Sequence, residues 1–184
     1  MTRIISGAAK GRTLRVPEKV TRPTSDRIRE AVFSSLEHRL GSWHGRCVYD
    51  LFAGSGAFAL EAMSRGAGHA VAVERDRRAA EVIRANAAST GLALDVVVLD
   101  VAQFVARVPS PPPDVVFVDP PYELSADLLA SMLGRLLEQL PGREVLLVVE
   151  RSARDQASPL PPGLQDIDRR TIGDTTITYA RWYG

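Results

Sequence analysis

The residues best suited to chemistry are Asp119-Pro120-Pro121-Tyr122, directly after the apolar run 115–118. Two consecutive prolines fix φ and remove two donors, so the carbonyls of Asp119 and Pro120 are rigidly presented. A base amino group offers two N–H donors, and its lone pair is normally delocalised into the ring. The Asp119 carboxylate and the Pro120 carbonyl can hold those protons and favour a tetrahedral nitrogen, whose lone pair then attacks an electrophilic methyl in line. This is catalysis by orientation and electrostatics, with no metal and no covalent enzyme intermediate. Tyr122 is placed to stack on a flipped base, a contact worth roughly 1–3 kcal/mol on aromatic faces.

A second informative stretch is Asp50-Leu51-Phe52-Ala53-Gly54-Ser55-Gly56-Ala57, a glycine-rich loop between a strand and a helix. Such loops sit at the carboxyl edge of a doubly wound sheet, where glycines let backbone and ligand approach closely. Gly54-x-Gly56-x-x-Ala59 also satisfies a relaxed dinucleotide fingerprint, and Glu74 ends the next strand at about the right distance. Asp50, just before the glycines, argues against a pyrophosphate and for the cationic amino-acid moiety of S-adenosylmethionine. A dehydrogenase also needs a substrate domain for which the chain has no room. Glu74 is then the acceptor for the ribose hydroxyls. Asp100 can accept from the adenine amino group, with Val101 packed nearby, although Asp100 is equally an N-cap for the helix that follows. Phe52 and Arg75, flanking these positions, are grouped with the cofactor site.

The elements that position these residues alternate short apolar runs with amphipathic stretches, the pattern of βα units feeding a parallel sheet. Strands are expected over 48–52, 70–74, 95–99, 115–118 and 144–150, with helices over 57–65, 77–89, 101–108 and 124–140. After the prolines at 159, 161 and 162 the texture becomes β-prone. Residues 168–172 and 176–182 flank a Gly173-Asp174 turn, so an antiparallel hairpin brings the sheet to seven strands. Before the sheet, 3–6 and 12–16 flank a turn at 7–11, suggesting a small basic hairpin. A helix starts at Ser25 or Asp26, with Ile28, Val32, Leu36 and Leu40 on one buried face. The division expected is an N-terminal extension over 1–20 and an α/β domain over 21–184.

Composition sets outer limits. With 184 residues and 45% hydrophobic content, the chain is one globular domain that buries roughly 70% of its unfolded surface. Residues 1–29 carry a net charge of +6, which leaves −5 for the rest. This asymmetry fits a polyanion-binding end on an acidic body, or else a solvated basic arm. Cys47 is the only cysteine, so neither a disulfide nor a cysteine metal cage forms, and His38, His44 and His69 lack metal-ligand spacing. No signal-peptide stretch and no window of about 18 apolar residues occurs, from which a cytoplasmic protein is expected.

These motifs together resemble the bacterial small-subunit ribosomal RNA guanine-N2 methyltransferase family, whose members modify one 16S rRNA guanine. The resemblance runs through Arg3-Ile4-Ile5-Ser6-Gly7, Lys10-Gly11-Arg12, the segment Arg22-Pro23-Thr24-Ser25-Asp26-Arg27-Ile28-Arg29-Glu30, the Asp50 loop and Asp119 to Tyr122. The catalytic four alone would suit DNA adenine or cytosine amino methyltransferases; the segment from Arg22 narrows it. The resemblance implies a Rossmann-like class I methyltransferase sheet, S-adenosylmethionine as cofactor, a monomer, and the small ribosomal subunit or its RNA as partner. It implies that Arg22, Thr24 and Arg27 lie near cofactor and base, while a hairpin bearing Arg3, Lys10, Arg12 and Arg15 grips RNA. A DNA amino methyltransferase and a non-catalytic RNA-binding assembly factor are the other readings.

Overall fold

The computed structural model describes residues 2–18, 24–107, 110–155 and 160–184, with the backbone alone at Asp166. Arg22 and Lys19 lie outside the described residues. In chain order the elements are β1 (Thr2–Arg3), β2 (Thr13–Leu14), α1 (Asp26–Leu40), β3 (Cys47–Leu51), α2 (Ala57–Ser64), β4 (His69–Glu74) and α3 (Arg77–Thr90), followed by β5 (Asp95–Val98), α4 (Val101–Phe104), β6 (Val115–Val118), α5 (Ala126–Leu137), β7 (Glu144–Ser152), β8 (Gln165–Ile172) and β9 (Thr175–Tyr183).

Seven strands form one sheet in the order β5-β4-β3-β6-β7-β9-β8. β3 to β7 are parallel, and β9 inserts antiparallel between β7 and β8. The order reverses between β3 and β6, the crevice where open α/β sheets bind ligands. Strands β3, β6 and β7 are apolar on both faces, as parallel strands covered on both sides must be. Val48, Val115, Phe117, Leu146 and Val148 join one core, while Tyr49, Leu51, Val116, Val118, Leu147 and Val149 join the other. Helices α1 and α2 cover the first face and α5 the second. This is the Rossmann-like class I methyltransferase architecture expected from the sequence, with its terminal antiparallel hairpin. Among the described residues, no helix is long and apolar enough to cross a membrane.

Helix α1 is seated by aromatic packing. Phe33 lies 5.2 Å from Trp43 and 5.4 Å from Phe117 between ring centroids, and Phe58 stacks on Phe117 at 4.7 Å. Ser25 caps the helix by accepting from Ile28 N–H. The expected buried face is present through Val32 and Leu36, but it also holds Arg29, which is fully buried. The Arg29 guanidinium donates to the carbonyls of Arg3 and Thr24 and to Asp26, so the helix N-terminus and the N-terminal segment are fixed to one another.

The N-terminal hairpin is shorter than the sequence suggests, with two residues per strand instead of 3–6 and 12–16. Ile4 N–H still crosses to the Arg12 carbonyl at 2.9 Å, and the pairing stops there because the donors beyond it go to the body. Ile5 N–H and Ser6 N–H donate to the two oxygens of Glu61 at 2.7 and 3.0 Å, and Arg15 N–H donates to Asn86 at 2.8 Å. Ile4, Ala9 and Leu14 pack on Ala57 and Leu60. Gly7 has φ +83°, and a Cβ there would lie 1.8 Å from the Ser64 carbonyl, so glycine alone permits this docking. Two helices are also shorter than expected. α4 ends after four residues, where Gln139 donates its amide to the Val105 carbonyl at 2.6 Å. α5 begins only after Ser125 caps it and ends before Pro141-Gly142.

Glu61 is fully buried and also pairs with Arg65 at 2.7 Å. Glu61→Ala leaves Arg65 Nε and two backbone N–H groups without their acceptor, the guanidinium keeping Glu37 at 2.7 Å, and breaking a buried pair costs about 3–5 kcal/mol. The expected outcome is a matching drop in urea-unfolding free energy, with faster amide exchange at Ile5 and Ser6. Native-like protection of those two amides in the variant would show that Glu61 does not hold the segment down.

Candidate active site

Parallel strands end on one edge of the sheet, and here most of them end in acid. Asp50 lies in β3, Glu74 closes β4, Asp100 follows β5, Asp119 follows β6 and Glu150 stands near the end of β7. All five border one cleft of about 780 Å³. Phe52, Gly54, Arg75, Val101, Pro120, Pro121, Tyr122, Thr24 and Arg27 border it as well, so most of the residues singled out in the sequence meet in one place.

The loop from β3 to α2 bends sharply. Phe52 takes φ +67°, a left-handed conformation rare for a bulky side chain, and such strain concentrates at binding loops. Gly56 does not border the cleft; it lies behind the loop, where an added Cβ would meet Ile83 Cγ2 at 2.8 Å and push α3 away. Glu74 fixes the loop by accepting from Gly54 N–H at 3.0 Å through one oxygen and from Asp76 N–H at 2.8 Å through the other. Asp50 is buried and accepts from Ala59 N–H at 3.1 Å. Asp100 is exposed and caps α4 by accepting from Ala102 N–H at 2.9 Å, while Val101 is buried beside it.

Across the cleft, Leu124 N–H donates to the Pro121 carbonyl at 3.0 Å and closes the turn after β6. Pro120 is buried, whereas Tyr122 is 62% exposed at the rim, as an aromatic face open to a planar partner would be. Asp119 sits 3.0 Å from the Thr24 hydroxyl, and Glu150 sits 2.9 Å from that same oxygen. Glu150 is the residue that sequence reasoning missed. It follows the apolar run of a parallel strand as Glu74 does, and that signal was available; its pairing with Thr24, 126 positions away, was not.

Loss of solvent governs the charges. Burial pushes the Asp50 carboxyl up to about 8, against the Ala59 hydrogen bond that lowers it; Asp119 and Glu74 push it further up. Burial raises Asp119 to about 6, while Thr24 and Arg151 hold it down. Glu150 rises to about 8, first through burial and then through the neighbouring Asp119 charge. An edge carrying this many reluctant carboxylates is complementary to cationic and N–H-bearing ligands.

The basic residues are arranged differently. Lys10, Arg12 and Arg15 are exposed on the docked N-terminal segment and do not border the cleft. Arg3 is exposed too, with its guanidinium 3.4 Å from Asp26. Arg27 is exposed at the cleft itself. Arg29, counted among the basic residues of this segment, is internal.

Comparison with known proteins agrees with this geometry. The family model described as conserved hypothetical protein 95 matches residues 2–181. The Bacillus subtilis protein YlbH, provisionally named an rRNA methyltransferase, is 31% identical over 99% of this chain and 94% of its own length. The ribosomal RNA small subunit methyltransferase D of Haemophilus influenzae is 33% identical over 93% of this chain and 89% of its own length. Among solved structures, the Escherichia coli protein YhhF, provisionally named a methyltransferase, superposes with a TM-score of 0.84 at 29% identity, covering 99% of this chain and 98% of that one. Matched from end to end by sequence and by fold, the chain belongs to the conserved hypothetical protein 95 family, that of the ribosomal RNA small subunit methyltransferases D.

Proposed function

We propose that this protein transfers a methyl group from S-adenosylmethionine to the exocyclic N2 of a guanine in 16S ribosomal RNA, acting as a monomer in the cytoplasm. The observation that carries the reading is the meeting of Asp119-Pro120-Pro121-Tyr122 with the Asp50 loop and Glu74 across one cleft. The names of the full-length relatives support the RNA substrate.

The donor set fits the cofactor. Asp50, buried and raised by burial, gains most from a cationic amino group. Glu74, with both oxygens already anchored to backbone N–H groups, keeps lone pairs for ribose hydroxyls. Phe52, Gly54, Arg75, Asp100 and Val101 complete the cofactor side, and Gly56 permits the close packing beneath it. When bound, the cofactor supplies an electrophilic methyl on sulfonium sulfur. The remaining work belongs to the chain: the Asp119 carboxylate and Pro120 carbonyl hold the amino protons, Pro121 stiffens the turn, and Tyr122 stacks on the base.

Lys10, Arg12, Arg15 and Arg3 form the RNA-facing surface, with Thr24 and Arg27 at the entrance to the cleft, and Arg22 belongs to the same segment by sequence. The segment over 1–20 then contacts RNA while 21–184 carries the chemistry. Ile4 and Leu14 are part of the core, so point substitutions at the arginines test this better than deletion does.

Methyl transfer from radiolabelled cofactor to unmodified small subunits, free ribosomal RNA and duplex DNA, followed by nucleoside analysis, tests the function. N2-methylguanosine in the subunit or its RNA is expected. Label confined to DNA replaces RNA with DNA as the substrate, and no label with intact cofactor binding makes the protein a non-catalytic factor. Asp119→Ala should lower turnover by roughly 10²-fold or more while cofactor affinity persists; unchanged turnover removes Asp119 from the mechanism. For Asp50 the sign is set by the ligand. The carboxyl must be ionised to meet a cation, so cofactor affinity should rise about tenfold between pH 6 and pH 7, below its value of about 8. Calorimetry on Asp50→Asn should show weaker binding without that rise, and the same pH dependence in both proteins would show that another group controls it.

A further inference from the structure

The Thr24 hydroxyl oxygen lies 3.0 Å from Asp119 Oδ2 and 2.9 Å from Glu150 Oε2. A hydroxyl carries one proton and donates to one acceptor at a time. The second contact is therefore a hydrogen bond only when that carboxyl carries a proton of its own and donates it to the Thr24 oxygen. Two ionised carboxylates around one hydroxyl in a buried site would leave one oxygen pair repelling. The geometry thus demands one proton more than two carboxylates and a hydroxyl ordinarily hold at neutral pH.

We propose that Glu150 holds this proton, so that a directed chain runs from the Glu150 carboxyl to the Thr24 oxygen and from the Thr24 hydroxyl to Asp119, keeping Asp119 ionised towards the cleft. Glu150 is then a positioning residue that sets the charge of Asp119. This assignment rests on the methyl-transfer reading above.

The surroundings favour this polarity. Arg151 lowers Asp119, whereas burial and the Asp119 charge both push Glu150 up. The Arg151 guanidinium is itself engaged by Asp155 at 2.8 Å and the Leu124 carbonyl at 3.1 Å. Arg29 donates to the Thr24 carbonyl at 3.2 Å and fixes that residue from behind. The other charged groups around the cleft are Asp50 on β3, Glu74 and Arg75 at the end of β4, Asp100 after β5, Arg27 on α1, Glu123 after Tyr122 and Asp174 at the turn between β8 and β9.

The chain also gives the reaction's proton a destination. As the new N–C bond forms from the nitrogen lone pair, the methyl–sulfur bonding pair leaves with sulfur, which becomes a neutral thioether. The nitrogen is left cationic with two protons. It passes one to the Asp119 carboxylate, giving a neutral secondary amine, and both carboxyls are then protonated. Loss of one proton to solvent restores the starting pair.

The test compares wild type with Glu150→Gln, whose amide still donates to Thr24 but cannot ionise. Glutamate labelled with ¹³C at the side-chain carboxyl gives a readout that needs no activity. The resonance missing from Glu150→Gln should titrate near 8 in wild type and move downward in Asp119→Asn. In single-turnover methyl transfer with cofactor saturating at every pH, wild type should lose about tenfold per pH unit above that midpoint. Glu150→Gln should lose this alkaline fall and keep the acid limb near 6 that belongs to Asp119. Thr24→Val, which keeps the shape and removes the hydroxyl, should abolish the coupling, and Thr24→Ser should restore it. A Glu150 resonance titrating in the ordinary range near 4, or an alkaline fall that persists in Glu150→Gln, overturns the assignment while methylation stands. A wild type that methylates nothing while Glu150 still titrates near 8 overturns the methyl-transfer reading, and the role of the pair with it.

Discussion

The site depends on one constraint: carboxylates gathered on a sheet edge that water reaches poorly. Asp50, Asp119 and Glu150 are all raised by burial, and the Asp119 charge raises Asp50 and Glu150 further. An apolar sheet cannot hold such an edge without compensation, so the loops around it supply it. Gly54 and Asp76 N–H groups hold Glu74, Ala59 N–H holds Asp50, and the Thr24 hydroxyl stands between Asp119 and Glu150. What the loops leave uncompensated is the attraction for a cation on one side of the cleft and for N–H donors on the other.

The N-terminal segment takes part in this balance from the opposite face. Arg29, buried in α1, ties the Arg3 carbonyl to the Thr24 carbonyl, and Thr24 reaches both carboxylates. A segment that looks like a basic arm in sequence is therefore also a prop for the active edge. Its net charge of +6 overstates the surface available to phosphate, because Arg29 is internal and Arg3 is paired with Asp26. The exposed cations Lys10, Arg12, Arg15 and Arg27 are the ones whose placement fits a polyanion.

Much of the fold was legible because it is written locally. Apolar runs of strand length alternating with amphipathic stretches specify βα units, and the Gly173-Asp174 turn announces the terminal hairpin. The Asp50 loop and the Asp119 segment were legible as candidates for the same reason, since each gathers its polar residues into a few consecutive positions, and the fold brings both to one cleft. What escaped is non-local. Glu61 stops the first hairpin by taking the Ile5 and Ser6 donors from more than 50 positions away, and no periodicity reveals this. The burial of Arg29 was equally hidden, because a guanidinium on a helix is normally solvated unless three acceptors converge on it, as they do here.

Glu150 shows where the local signal was present and insufficient. It sits at the carboxyl end of a parallel strand, as Glu74 does, yet β7 runs on through Arg151 to Ser152 because β9 pairs with it antiparallel along its whole length. A strand that continues in this way does not expose its acid as a terminus, and Glu150 is turned against Asp119 and Thr24 instead of into solvent. The antiparallel insertion of β9 thus does more than cover a sheet edge. By extending β7 past the point where β3 and β6 stop, it carries a second carboxyl alongside Asp119. The last parallel strand can then adjust the ionisation of a residue whose own strand had already ended.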